Sequence, residues 1–108
     1  MKVLYLITLL SFPALSFAAY TANHTSTISW VKIYNSDVIY FGLSTMPGDH
    51  QCTGTFFALS PTLTEKQRDR YYSMLLTART TNSKVTVGYD KDAPDCFATR
   101  PIAHALSF

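Results

Sequence analysis

Charge is scarce in this sequence: nine Lys and Arg face seven Asp and Glu across 108 residues, and the net charge is +2. No stretch gathers the basic residues without acids between them, which argues against a nucleic-acid partner, since such a protein presents a basic face to phosphates. Glycine is equally sparse, with four in the chain. None of the four forms a phosphate-cradling loop or the tight turn of a nucleophile elbow. No paired-carboxylate motif accompanies the scattered Ser, His and Asp residues, so no catalytic residue and no cofactor is expected. Long apolar runs are lacking too. The stretch over residues 3–10 falls short of the roughly 20 residues needed to cross a bilayer, and no membrane span is expected.

That apolar stretch instead has the layout of a signal peptide. Lys2 supplies the charged start, residues 3–10 the apolar centre, and Ser16-Phe17-Ala18 the small-x-small pattern at which a leader is cut. Residues 1–18 are therefore read as a signal peptide and residues 19–108 as one domain, secreted or periplasmic. A domain of that size buries a modest core, and an oxidising compartment favours a covalent staple. Cys52 and Cys96 are the only cysteines. An even count in an exported chain reads as one disulfide rather than as a reactive or metal-binding thiol.

Along residues 19–27 the sequence is polar and without periodicity, which predicts a loose lead-in. Its Asn23-His24-Thr25 matches a glycosylation sequon, a short pattern that recurs by chance. Residues 28–34 and 38–43 are rich in β-branched and aromatic side chains around the turn formers Asn35-Ser36-Asp37, which predicts a hairpin. A Pro-Gly loop over residues 46–50 precedes a third strand over 52–59. Thr64 and Gln67 then have the spacing of a capping box, and Tyr71, Met74, Leu75 and Ala78 recur at helical spacing. The helix is expected to stop near Thr81, because Asn82 accepts the left-handed conformation that ends helices. A fourth strand over 84–89, an acidic turn over 90–95 and a fifth strand over 102–108 complete the chain.

Three aspartates crowd the acidic turn, Asp90, Asp92 and Asp95, yet the glycine and terminal glutamate of a calcium loop are missing. His24, His50 and His104 fall on separate elements, so no metal site is expected. Aromatic side chains are plentiful, with seven Tyr, seven Phe and one Trp. About half should fill the core, and an exposed remainder could stack against sugars or bases.

Three strands, one helix and two strands predict a mainly β protein with one helix, a five-stranded OB-type barrel whose helix lies between strands three and four. Ser29-Trp30-Val31-Lys32-Ile33, the cysteine opening strand three, the helical run over residues 72–78, Lys84-Val85-Thr86-Val87 and Cys96 together resemble the pentameric B subunits of subtilase-cytotoxin type, over most of residues 28–108. The resemblance implies an OB fold, a disulfide, secretion, a homopentameric ring, a toxin-like catalytic subunit as partner, and binding of sialylated glycans. Ser29 falls at the family's sugar-contacting serine. The acidic residue upstream of it is missing, and the aromatic contact near the helix end is replaced around Thr77 and Arg79. The expectation is thus a non-catalytic, glycan-binding module with Ser29, Thr77 and Arg79 as ligand-binding candidates. The alternative is a monomeric secreted or periplasmic structural protein or inhibitor that contacts another protein.

Overall fold

In a computed structural model of the chain, which describes residues 20–34 and 37–108, the two apolar runs around Trp30 and Phe41 pair as expected. They form β1 (Ala22–Ile33) and β2 (Ile39–Leu43), antiparallel, with Val31 opposite Phe41 and Ile33 opposite Ile39. The expected leader lies outside the described residues, as do Asn35 and Ser36 of the expected turn. Asp37, its third residue, has a left-handed backbone with φ 63°, which Asp adopts more readily than most side chains.

The helix α1 (Glu65–Thr81) begins and ends on the residues that local chemistry marks. The Thr64 hydroxyl accepts from the Gln67 N–H at 3.1 Å, and the Gln67 side chain accepts from the Thr64 N–H at 3.0 Å. Both are donors that the first helical turn leaves without backbone partners. Asn82 closes the other end in the left-handed conformation, its N–H donating to the Ala78 carbonyl. Leu75 and Ala78 are buried, and Tyr71 and Met74 pack beside them, so the predicted stripe does face the core. No helix among the described residues is long and apolar enough to cross a membrane.

Three expectations for the strands are corrected. Residues 22–27, expected to be loose, are the first half of β1 and pair with β4 (Lys84–Tyr89), from Ala22 opposite Tyr89 to Thr27 opposite Lys84. Their polarity misleads because one face of this half-strand is in solvent: Asn23 and Thr25 point outward while Ser26 is buried. The third strand shrinks to β3 (Phe57–Leu59). Ahead of it the backbone turns its hydrogen bonding toward a loop, with the Gly54 N–H donating to the Thr99 carbonyl at 2.7 Å. The last strand is split into β6 (Arg100–Ala103) and β7 (Ala105–Ser107), and a short β5 (Cys96–Phe97) precedes it. The break falls at His104, whose ring pairs with Asp95 and whose N–H donates to the Gly88 carbonyl.

The seven strands among the described residues form one sheet in the order β5-β6-β3-β2-β1-β4-β7, open in its strand pairing rather than the closed five-stranded barrel expected. Only β3 and β6 run parallel. The described residues are mainly β with one helix, between β3 and β4. Ile39, Phe41, Leu43, Phe57, Leu59, Val85 and Val87 fill the core with Leu75 and Ala78 of the helix. Cys52 and Cys96 are joined in a disulfide, Cα to Cα 5.9 Å, so the loop before β3 is bound to the start of β5. The Tyr89 hydroxyl donates to Asp49. Burial, then that carboxylate, pushes the phenol well above its ordinary 10.0.

Candidate functional site

A single extra residue sets the orientation of β1. Ile28 lies opposite Leu43 and Trp30 opposite Gly42, so Ser29 has no partner and forms a β-bulge. Before the bulge the even-numbered residues Ser26 and Ile28 are buried. Beyond it the alternation is reset: Val31 packs against the core, and Trp30, Lys32 and Tyr34 point to the opposite face.

On that outer face side chains of β1, β2 and β6 meet those of Tyr34, just past β1, and Phe56, just ahead of β3. Trp30 meets Phe56 edge to face at 5.0 Å, Tyr34 meets Tyr40 at 4.9 Å, and Tyr40 meets Phe56 at 5.7 Å. Tyr40 is 4% exposed and makes the floor, whereas Tyr34 is 43% exposed and Trp30 and Phe56 are half-buried. This second covered face explains why all five residues of β2 are buried. Gly42 completes the floor: a Cβ there would overlap the Trp30 indole, so only glycine lets the ring lie flat on β2.

A cation stands at each end of the four rings. The Lys32 ammonium lies 5.8 Å from the Trp30 ring centre and 5.7 Å from that of Tyr34, and the Arg100 guanidinium lies 5.0 Å from both Tyr40 and Phe56. Such contacts draw the cation to the negative face of a ring. Neither cation pairs with a carboxylate; the ion pairs among the described residues are Lys91 with Asp92 and His104 with Asp95. The exposed Lys91–Asp92 pair lies on the acidic turn, where it raises the lysine's pKa and lowers the aspartate's.

Arg100 is held there by a tight hairpin. Phe97 pairs with Arg100 across a two-residue turn, Ala98-Thr99, with φ 48° and 74°. Two positive φ values are what a right-twisting two-residue hairpin demands, a place usually given to Asn and Gly. Alanine and a β-branched threonine are strained in it. The strand register, the disulfide at Cys96 and the bond from Gly54 to the Thr99 carbonyl hold the turn closed. A Cβ on Gly54 would come within 2.8 Å of that carbonyl oxygen.

The three residues named from sequence are not gathered at one place. Ser29 is exposed and borders the aromatic face through its neighbour Trp30. Thr77 and Arg79 are exposed on α1, which packs on the core side, and the Thr77 hydroxyl is turned back to the Ser73 carbonyl at 2.9 Å. The residues missed were Tyr40, Phe56 and Arg100. The alternation Trp30-x-Lys32-x-Tyr34 was visible and places three side chains on one strand face. Surface clefts lie elsewhere: two of about 190 and 150 Å³ adjoin the N-terminal half of α1, sharing Asp37, Ile39 and Arg68, and another of about 330 Å³ is lined by Gln67, Arg70, Tyr71 and Met74 of α1.

The outer face is thus an open sheet surface of rings with a cation at either end. Comparison with known proteins finds no matching family model, no related curated protein and no matching solved structure.

Proposed function

We propose that this chain is an exported, non-catalytic binding module that recognises a carbohydrate on the outer face of β1, β2 and β3. The observation that carries the reading is the half-open platform of Trp30, Tyr34, Tyr40 and Phe56, built on a floor with no room for a Cβ at position 42. Export rests on the leader, and the disulfide fits an oxidising compartment.

An OB-type architecture is part of the same proposal. Residues 100–107 act in it as one bent strand, since β6 pairs with β3 on one flank and β7 with β4 on the other, with His104 as the bend. That strand joins the two ends of the β1-centred sheet, and a strand face of such a barrel is a common seat for oligosaccharides. Assembly as a homopentamer, with a toxin-like catalytic subunit as partner, belongs to the proposal through the B-subunit resemblance alone. A ring would raise weak single-site sugar binding through avidity.

The experiment is a titration of the oxidised, folded protein with a panel of neutral, sialylated and uronate-containing oligosaccharides, read by the fluorescence of Trp30, the only tryptophan. A member of the panel is expected to shift the emission, and Trp30→Ala to weaken its binding, followed by calorimetry, about tenfold or more, or about 1.4 kcal/mol. Ser29→Ala in parallel decides whether the bulge serine contributes. If no saccharide binds, the reading is wrong.

A further inference from the structure

Taking the carbohydrate reading of this face as its basis, we infer that the ligand is an extended polyanionic oligosaccharide, with carboxylates on separate sugars seated on Arg100 and on Lys32. The two cations are linked by two parallel runs of rings, Lys32 to Trp30 to Phe56 to Arg100, and Lys32 to Tyr34 to Tyr40 to Arg100. Across the strands Lys32 stands opposite Tyr40, Tyr40 opposite Ala58, and Ala58 opposite Ile102, two residues beyond Arg100 on β6. Three strand spacings, about 14 Å, therefore separate the backbone positions of the two rows. A carboxylate needs its donors at about 2.8 Å. With rings between the cations, one acidic group does not serve both, whereas an acidic chain laid across the strands places its sugars over the rings and a carboxylate at each end.

Both cations are free for this task. Among the described residues no carboxylate pairs with either, and of the five N–H donors of the Arg100 guanidinium one, on Nη1, is engaged, with the Ala98 carbonyl at 3.0 Å. The planar fork that remains matches a carboxylate bidentately, while Lys32 contributes a point charge. The strained Ala98-Thr99 turn adds a separate argument. A left-handed threonine persists only where its surroundings over-determine it, and here the outcome of that strain is the placement of Arg100 over two rings. A single-stranded nucleic acid is also a polyanion that stacks on rings, but it is held by a groove of cations tracking its backbone, and this face offers two.

The test measures binding of three probes at physiological ionic strength by calorimetry: a linear oligogalacturonate, the same oligomer with its carboxylates chemically reduced to alcohols, and an oligothymidylate of similar length. The acidic oligomer is expected to bind at least about tenfold more tightly than its neutral counterpart, and galacturonate monomer to lack that advantage. Lys32→Gln, at an exposed position, should remove most of the difference between the acidic and neutral oligomers; Arg100→Gln should do the same, with its fold checked by thermal melting. Equal affinity for the acidic and neutral oligomers, with Trp30→Ala weakening both, overturns the polyanion inference and leaves the carbohydrate platform standing. Loss of the acidic preference in neither variant overturns the assignment to these cations. Tighter binding of oligothymidylate than of oligogalacturonate overturns the saccharide in favour of nucleic acid, and no saccharide binding at all removes both readings.

Discussion

Gly42→Ala is the sharpest perturbation of this face, because it adds one carbon beneath the indole and removes nothing. The new Cβ would lie 2.6 Å from Cε2 and 2.9 Å from Cδ1 of Trp30, and closer still to Nε1. The obstacle is a side chain, so the backbone holds and the ring leaves its seat. Its departure removes the edge contact with Phe56, worth about 0.5–1.5 kcal/mol, and overpacking of this kind costs about 1–3 kcal/mol in all. Replacing glycine also restricts the unfolded chain, which stabilises by about 0.4–1 kcal/mol. The expected net loss is about 1–2 kcal/mol, a fall in Tm of about 5–15 °C for a domain of this size. Because Trp30 is the only tryptophan, native-state emission should shift to the red, and the urea midpoint should fall with the slope unchanged. Gly48→Ala is the control, since nothing lies within 4 Å of a Cβ there, and it should be neutral or slightly stabilising. An unchanged emission spectrum together with an unchanged midpoint in Gly42→Ala would refute the packing of the indole on β2.

Cys52→Ser and Cys96→Ser should each lower stability by about 4 kcal/mol, and by nearly equal amounts, since both open the same loop of sequence separation 44. Denaturant melts measure this, and thiol labelling of both cysteines in the unreduced native protein would contradict it. Tyr89 makes stability depend on alkaline pH. Burial and the Asp49 carboxylate keep its phenol protonated in the fold well above the ordinary 10.0, so the folded state retains a proton that the unfolded chain releases. That contribution is complete below about pH 10 and is lost as pH rises beyond it. Tyr89→Phe should therefore flatten the stability curve above about pH 10 relative to wild type, and parallel curves for the two proteins would count against the argument.

The elements read correctly from sequence are those whose signals are local. Thr64, Gln67 and Asn82 satisfy backbone groups within one turn of themselves, so α1 begins and ends where they stand. The pairing of β1 with β2 is similarly short in range, and two cysteines leave a single intramolecular disulfide to draw. Strand lengths were misjudged where partners are distant. Polar residues 22–27 become a strand because β4, some sixty residues later, supplies hydrogen bonds, while residues 52–56 leave the ladder because Gly54 is drawn to Thr99.

By itself the sequence determined a small, mainly β chain with one capped helix, an aromatic surplus and one disulfide, since each follows from composition or from contacts between near neighbours. It did not determine which aromatic residues form a surface. That depended on the bulge at Ser29, which turns Trp30, Lys32 and Tyr34 away from the core, and on the hairpin that folds Arg100 over Tyr40 and Phe56. A one-residue shift in strand alternation exchanges the two faces of a sheet. The pairing across the sheet decided where that shift falls, and with it the face on which the rings and the two cations meet.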